Sequence, residues 1–303
     1  MDEVENPLPG FQNNVSIRLD GGTYEVVCYS LQSPRGSLTI TGGAAATPPP
    51  SAVVDRATLD GYQAAYVAWV RARAGELVIQ VDAFATAIKA GDTATARSLY
   101  PVVRMPWERI EPVAESFLDL DVAIDAREED FALGVDDPAF TGFHRLERIL
   151  WVEGASGDAN ALADGLAANV RELQARLVDL PIDARLMARG SGELIEEVAQ
   201  SKLTGEEDRY SGTDLWSIDA NLDGSRVIVD LFRPTLETLD PAALARIDAA
   251  FASVDEVLAS YVDGDGFRPF SAVTPGDLTA LQARMAGLAE VLAALPGILG
   301  LAA

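Results

Sequence analysis

One histidine and one cysteine in 303 residues remove several chemistries at once. Cys28 has no partner for an intrachain disulfide, and a lone thiol says nothing about redox compartment. With His144 as the sole imidazole, an H-E-x-x-H zinc peptidase, which needs two histidines on one helix, is excluded. A serine-hydrolase triad would have to draw on the same histidine, and Gly190-Ser191-Gly192 lacks the strand-to-helix elbow of such enzymes. Basic residues are scarce too. Against 47 Asp+Glu stand 23 Lys+Arg, a formal net charge of -24, whose field repels phosphate backbones and anionic lipid and argues against nucleic acid as a partner. No apolar run approaches about 20 residues, and the chain begins Met-Asp-Glu-Val-Glu, so no signal peptide is expected within it.

What is present divides at a linker. Before residue 44, three short runs rich in β-branched residues (15–19, 23–29 and 36–41) are broken by Gly21-Gly22 and Ser33-Pro34-Arg35-Gly36, which is strand and turn chemistry. Three strands cannot close a core of their own. Residues 44–54 include Ala44-Ala45-Ala46-Thr47-Pro48-Pro49-Pro50, a linker by composition. From 55 to 303, Ala, Leu, Glu, Asp and Arg recur with helical periodicity and no convincing second strand-rich stretch, so the expected class is all-α. Caps and breakers predict helices over 55–89, 92–118 with a bend at Pro101 or Pro106, 126–133, one capped by Thr141, and then 158–178, 184–201, 213–239, 241–261 and 275–295. That inventory suits two packed helical bundles or one long bundle of antiparallel pairs.

The charge is concentrated. Between Glu108 and Asp137 lie eleven acids and two bases, and directly downstream comes Gly142-Phe143-His144-Arg145-Leu146-Glu147. The H-x-x-E spacing puts imidazole and carboxylate on one helix face, where neighbouring carboxylates complete an oxygen-rich cage suited to Fe(III), Mn(II) or Ca(II) better than to zinc. Glu147 sits in an apolar setting and needs a cation, a proton or an arginine, Arg145 or Arg148 being nearest in sequence. Glu108, Glu111, Glu115 and Asp119 follow at spacings that share one helix stripe, which by itself fits a solvated face equally well. A further acidic group, Glu206-Glu207-Asp208-Arg209-Tyr210-Ser211, reads mainly as an interhelix loop capped by Ser211 or Thr213, with one carboxylate or Tyr210 able to reach the site.

Four ordered blocks carry a family likeness: 107–115 (Trp-Glu-Arg-Ile-Glu-Pro-Val-Ala-Glu), 119–131, 134–147 with its H-x-x-E, and 205–211 (Gly-Glu-Glu-Asp-Arg-Tyr-Ser). From about residue 55 onward the chain resembles the EfeO/EfeM family, whose imelysin-like domain serves bacterial iron uptake. The resemblance implies a pair of helical bundles and an extracytoplasmic protein of the periplasm or cell surface. It also implies iron, Fe3+ or Fe2+, as cargo, with other divalent ions such as Zn2+ accepted in vitro. An iron permease and a haem peroxidase of the same system would be its partners, with membrane attachment through a segment preceding this chain. Residues 21–30 and 33–41 resemble the closing strands of the cupredoxin domain that precedes the bundle in longer members; such a truncated remnant, with His144 elsewhere, cannot assemble a blue-copper centre of two histidines and a cysteine. The expected ligands are His144, Glu147, Glu111 and Asp125, then Glu108, with Glu115 and Glu207 outside them. Two other readings stay open: a metallopeptidase of the imelysin type, and a structural adaptor whose acidic surface docks a basic partner.

Overall fold

The computed structural model describes residues 22–27, 35–40, 54–154 and 158–301. They fall in two compact units, Met1–Ser51 and Ala52–Ala303. In the first, strands β1 (Gly22–Val27) and β2 (Arg35–Ile40) form an antiparallel pair with Gly22 opposite Ile40 and Val27 opposite Arg35. The strand expected over 15–19, Cys28 and all of the expected linker except Val54 lie outside the described residues.

The second unit is helical. Asp55 caps α1 (Arg56–Lys89) by accepting from the Thr58 N–H at 3.0 Å, and Gly91, with φ 70°, turns the chain out beyond its last turn. Tyr66, Val70, Leu77, Val81, Phe84 and Ile88 form its buried face, packed against α2 (Thr93–Ala114) and α5 (Ala159–Arg176). A second group joins α6 (Ala184–Glu197), α7 (Asp214–Leu239), α8 (Pro241–Ala259) and α9 (Pro275–Leu292), and α2 against α7 links the two groups into the expected pair of bundles. At that crossing a Cβ on Gly224 of α7 would lie 2.4 Å from the Arg109 carbonyl oxygen, so only glycine permits the approach.

The segment Pro275–Ile298 is long and apolar enough by composition to cross a membrane, but Leu281, Met285, Leu288 and Leu292 are buried and α9 packs on α6 and α8. Between α8 and α9 a two-residue hairpin, β3 (Val262–Asp263) with β4 (Gly266–Phe267), is the strand pairing that the helical periodicity did not predict.

Several expected boundaries are corrected. The helix over 92–118 is three pieces: α2 ends at Ala114, Glu115–Phe117 forms a 3-10 turn, and α3 (Leu118–Asp125) follows. Pro112 starts this break, because it offers no N–H to the Glu108 carbonyl one turn earlier. The helix expected over 126–133 is instead a pair of 3-10 turns, Glu128–Asp130 and Gly134–Asp136. Thr141 precedes α4 (Gly142–Arg148) without capping it; its hydroxyl donates to the Ala123 carbonyl at 3.0 Å.

Candidate metal centre

The sequence places His144 and Glu147 one turn apart on α4, and the fold buries both, at 3% and 0% exposure. Gly142 makes this possible. Its φ is 77°, and a Cβ there would stand 2.1 Å from the Ile124 carbonyl oxygen, so the start of α4 can abut the end of α3 only without a side chain. That abutment sets Asp125, the last residue of α3, beside the imidazole: Asp125 Oδ1 is 3.4 Å from His144 Nε2. On the opposite edge of the ring, Glu147 Oε2 is 3.6 Å from Nδ1.

Glu147 is not paired with Arg145 or Arg148, which the sequence offered as its nearest partners; both arginines bind Glu153. Its Oε1 accepts instead from the Tyr210 N–H at 3.1 Å, the Ser211 N–H at 2.7 Å and the Ser211 hydroxyl at 2.7 Å. The 205–211 loop is therefore structural support for the site, and Ser211 is spent on Glu147 rather than on capping α7. Among the described residues Glu147 Oε2 is buried with no hydrogen-bond partner, and such an acceptor costs free energy unless a cation or proton meets it; Asp208 Oδ1 likewise accepts no hydrogen bond, although Arg104 lies beside it as an ion pair.

The centre of the cluster is a cation of the protein itself. Arg104, fully buried, binds Asp125 and Glu108, and reaches Glu207 Oε1 and Asp208 Oδ1 at 3.1 Å each; its guanidinium lies over the Phe143 ring. Lys202 is the second, contacting Glu108 Oε2 at 3.1 Å, Glu111 Oε1 at 2.5 Å and Glu207 Oε1 at 3.6 Å. The chain has only two lysines. Lys202 arrives on a π turn, Val198–Lys202, that extends α6. Asn221 of α7 donates to the Glu108 carbonyl that Pro112 leaves free, at 2.9 Å, and to Glu111 Oε2 at 2.7 Å.

The expected ligands thus separate. His144, Glu147 and Asp125 come together, joined by Glu207, while Glu108 and Glu111 lie in the same buried network but are engaged by Lys202, Arg104 and Asn221. Two trios have ligand atoms within 4.8 Å of one another: Asp125, His144 and Glu207, and His144, Glu147 and Asp208. Asp119 leaves the stripe for the surface, where it pairs with Arg176, and the Glu115 side chain lies outside what the structure describes. Arg104, Lys202, Asp208 and Asn221 were not among the expected site residues.

Electrostatics follow from that packing. Burial pushes Asp208 up, and Glu147 and Asp214 reinforce this against Arg104, giving a pKa of about 8. Burial also acts on Glu207, but Lys202, Arg104, His144 and Arg127 outweigh it and bring the group to about 2. His144 is opposed by burial and Arg104, yet Glu147, Asp125 and Glu207 raise it above the usual imidazole value. Five acids, Glu108, Glu111, Glu147, Glu207 and Asp208, are buried beside Arg104 and Lys202, and burial holds Glu111 as well as Asp208 toward the protonated form. An oxygen-rich set with one imidazole fits a hard metal ion, which would displace the protons that burial favours on these acids.

His144, Glu147 and Glu207 line a cleft whose outer wall carries Arg127, Glu128, Arg209 and Tyr210. Arg209 ties this wall together through Glu128, Glu129 and Glu206, and the Tyr210 hydroxyl donates to Glu128.

A two-bundle helical fold around a buried H-x-x-E site defines a class, and residues 62–295 match the family model described as imelysin: the chain belongs to the imelysin family, whose label also classes it among peptidases. Within that family it is 45% identical over 301 residues to the iron uptake system component EfeO of Yersinia pseudotuberculosis serotype I (strain IP32953), covering 99% of this chain and 79% of that protein. It is likewise 45% identical to EfeO of Yersinia pestis and 44% identical to EfeO of Escherichia coli O157:H7, each over 99% of this chain and 80% of the relative.

Proposed function

We propose that this protein is the extracytoplasmic iron-binding component of a bacterial iron uptake system, capturing iron at the His144 site and passing it to a membrane permease. The carrying observation is that two buried carboxylate oxygens that accept no hydrogen bond, Glu147 Oε2 and Asp208 Oδ1, belong to residues whose ligand atoms lie within 4.8 Å of one another and of His144. A site of carboxylates and one imidazole favours the harder Fe(III) over Fe(II), and its ligands must lose protons to bind. Protonation, reduction or opening of the cleft would then release the ion. Iron is the cargo. A haem peroxidase that changes its oxidation state would be the natural second partner.

Calorimetric titration of the metal-free protein with Fe(III) chelate, Fe(II), Zn(II) and Mn(II) tests this. One site that prefers iron, weakened at least about 100-fold by His144→Ala and by Glu147→Gln, is the expected result. Weak, multiple binding indifferent to both substitutions would sink the proposal and favour an adaptor that docks through its acidic surface. The family's peptidase label supports a second reading in which the His144–Glu147 pair activates water. Hydrolysis of a peptide library that is lost with His144→Ala would establish it.

A further inference from the structure

The two sides of His144 are not equivalent. On the Nε2 side the acceptors are already satisfied. Asp125 takes Arg104 Nη1 on Oδ1 and the Trp107 indole N–H, at 2.8 Å, on Oδ2. Glu207 takes Arg104 Nη2 at 3.1 Å on Oε1 and Arg127 Nη1 at 3.2 Å on Oε2. Arg104 Nη1 itself lies 3.4 Å from His144 Nε2. On the Nδ1 side, Glu147 Oε2 has no hydrogen bond; Asp208, which shares a trio with Glu147 and His144, has its Oδ1 3.1 Å from Arg104 Nε as an ion pair but outside hydrogen-bond geometry. Yet each side presents a trio close enough to share an ion.

We propose that the Asp125–His144–Glu207 trio is a second cation position that Arg104 fills, so that the protein takes a single metal ion on the Glu147–Asp208 side of the imidazole. This rests on the metal-binding reading above and adds to it the side on which the ion sits and the residue that limits the count to one. The guanidinium acts as a tethered counter-ion. It is permanently charged, fully buried and fork-shaped, and it spans Asp125, Glu108, Glu207 and Asp208 at once, as a point charge such as lysine cannot. Removing it would leave buried carboxylates unpaired, a state that a second metal ion relieves. Arg104 is thus a specificity-determining residue: it sets stoichiometry and keeps the ion mononuclear.

The test is metal content after equilibrium dialysis against Fe(III) citrate, measured by elemental analysis on the full chain. The expected stoichiometry is one ion for the wild type and two for Arg104→Met. Substitutions that keep Arg104 decide independently of whether Arg104→Met folds. Asp125→Asn should weaken the first ion by less than about tenfold, whereas Glu147→Gln and Asp208→Asn should each weaken it by at least about 100-fold. A folded Arg104→Met protein that still takes one ion, a wild type that takes two, or an Asp125→Asn protein that loses the first ion as completely as Glu147→Gln would overturn the inference while leaving the iron carrier intact. A wild type that binds no ion would overturn both.

Discussion

Gly142 is the residue on which the site geometry turns, although it touches no ligand. It holds a left-handed φ, and any side chain would run into the backbone of Ile124 and Ala123. Gly142→Ala should therefore cost about 3 kcal/mol, read as a lower urea midpoint at unchanged slope, and should separate Asp125 from His144. A fully stable variant would show that α3 and α4 can part without strain. His144 and Glu147 were legible because H-x-x-E is a local pattern on one helix. Asp125 was legible by its block. Arg104 was not, since an arginine one turn before Glu108 reads in one dimension as an ordinary surface pair. Only the folded chain brings Asp125, Glu207 and Asp208 to it from two other segments. Asp208 was hidden in the same way, inside a loop whose composition suits solvent.

At the scale of elements, the long helices were readable from periodicity and caps, as the match of α1 and α5 to α9 with their expected ranges shows. The interval between Ala114 and Gly142 was not. There three 3-10 turns and a short α3 replace the expected continuous helices, because just before it Pro112 removes a backbone donor and Asn221, more than a hundred residues away, supplies a substitute. No local rule contains that exchange. The π turn at the end of α6 is a comparable case, since it carries Lys202 to Glu108 and Glu111. Lys202→Met leaves both carboxylates without their shared ammonium and should destabilise the protein by about 3–5 kcal/mol. Adding Glu111→Gln to it should recover part of that loss in a double-mutant cycle by urea unfolding. Strict additivity of the two changes would refute the coupling.

For the whole molecule, the buried acids make stability depend on pH in a defined direction. Asp208 titrates at about 8 in the fold, and Asp214 and Asp121, both raised chiefly by burial, at about 6, all above the ordinary carboxylate value of about 4. Between about pH 4 and 8 the folded protein therefore holds more protons than the unfolded chain, and stability falls as pH rises through that window. His144, raised as well, adds in the same direction. Glu207 works oppositely, but its contribution is lost only as pH drops toward 2. The metal-free protein should show a higher Tm at pH 5.5 than at pH 8. Saturating iron should shrink or reverse that difference, because binding requires deprotonated ligands. A Tm that rises from pH 5.5 to 8 without metal would contradict this charge assignment.

The contact between Gly224 and the Arg109 carbonyl governs how the bundles can move against each other. Translation of α7 along α2 would drive a peptide oxygen into the Cα of Gly224 or its neighbours, so sliding is blocked. Asn221, one helical turn away, grips the backbone of Glu108 and pins the same crossing. The Tyr210–Ser211 backbone precedes α7 and holds Glu147, so the crossing that fixes α7 on α2 also fixes the donors that grip that carboxylate.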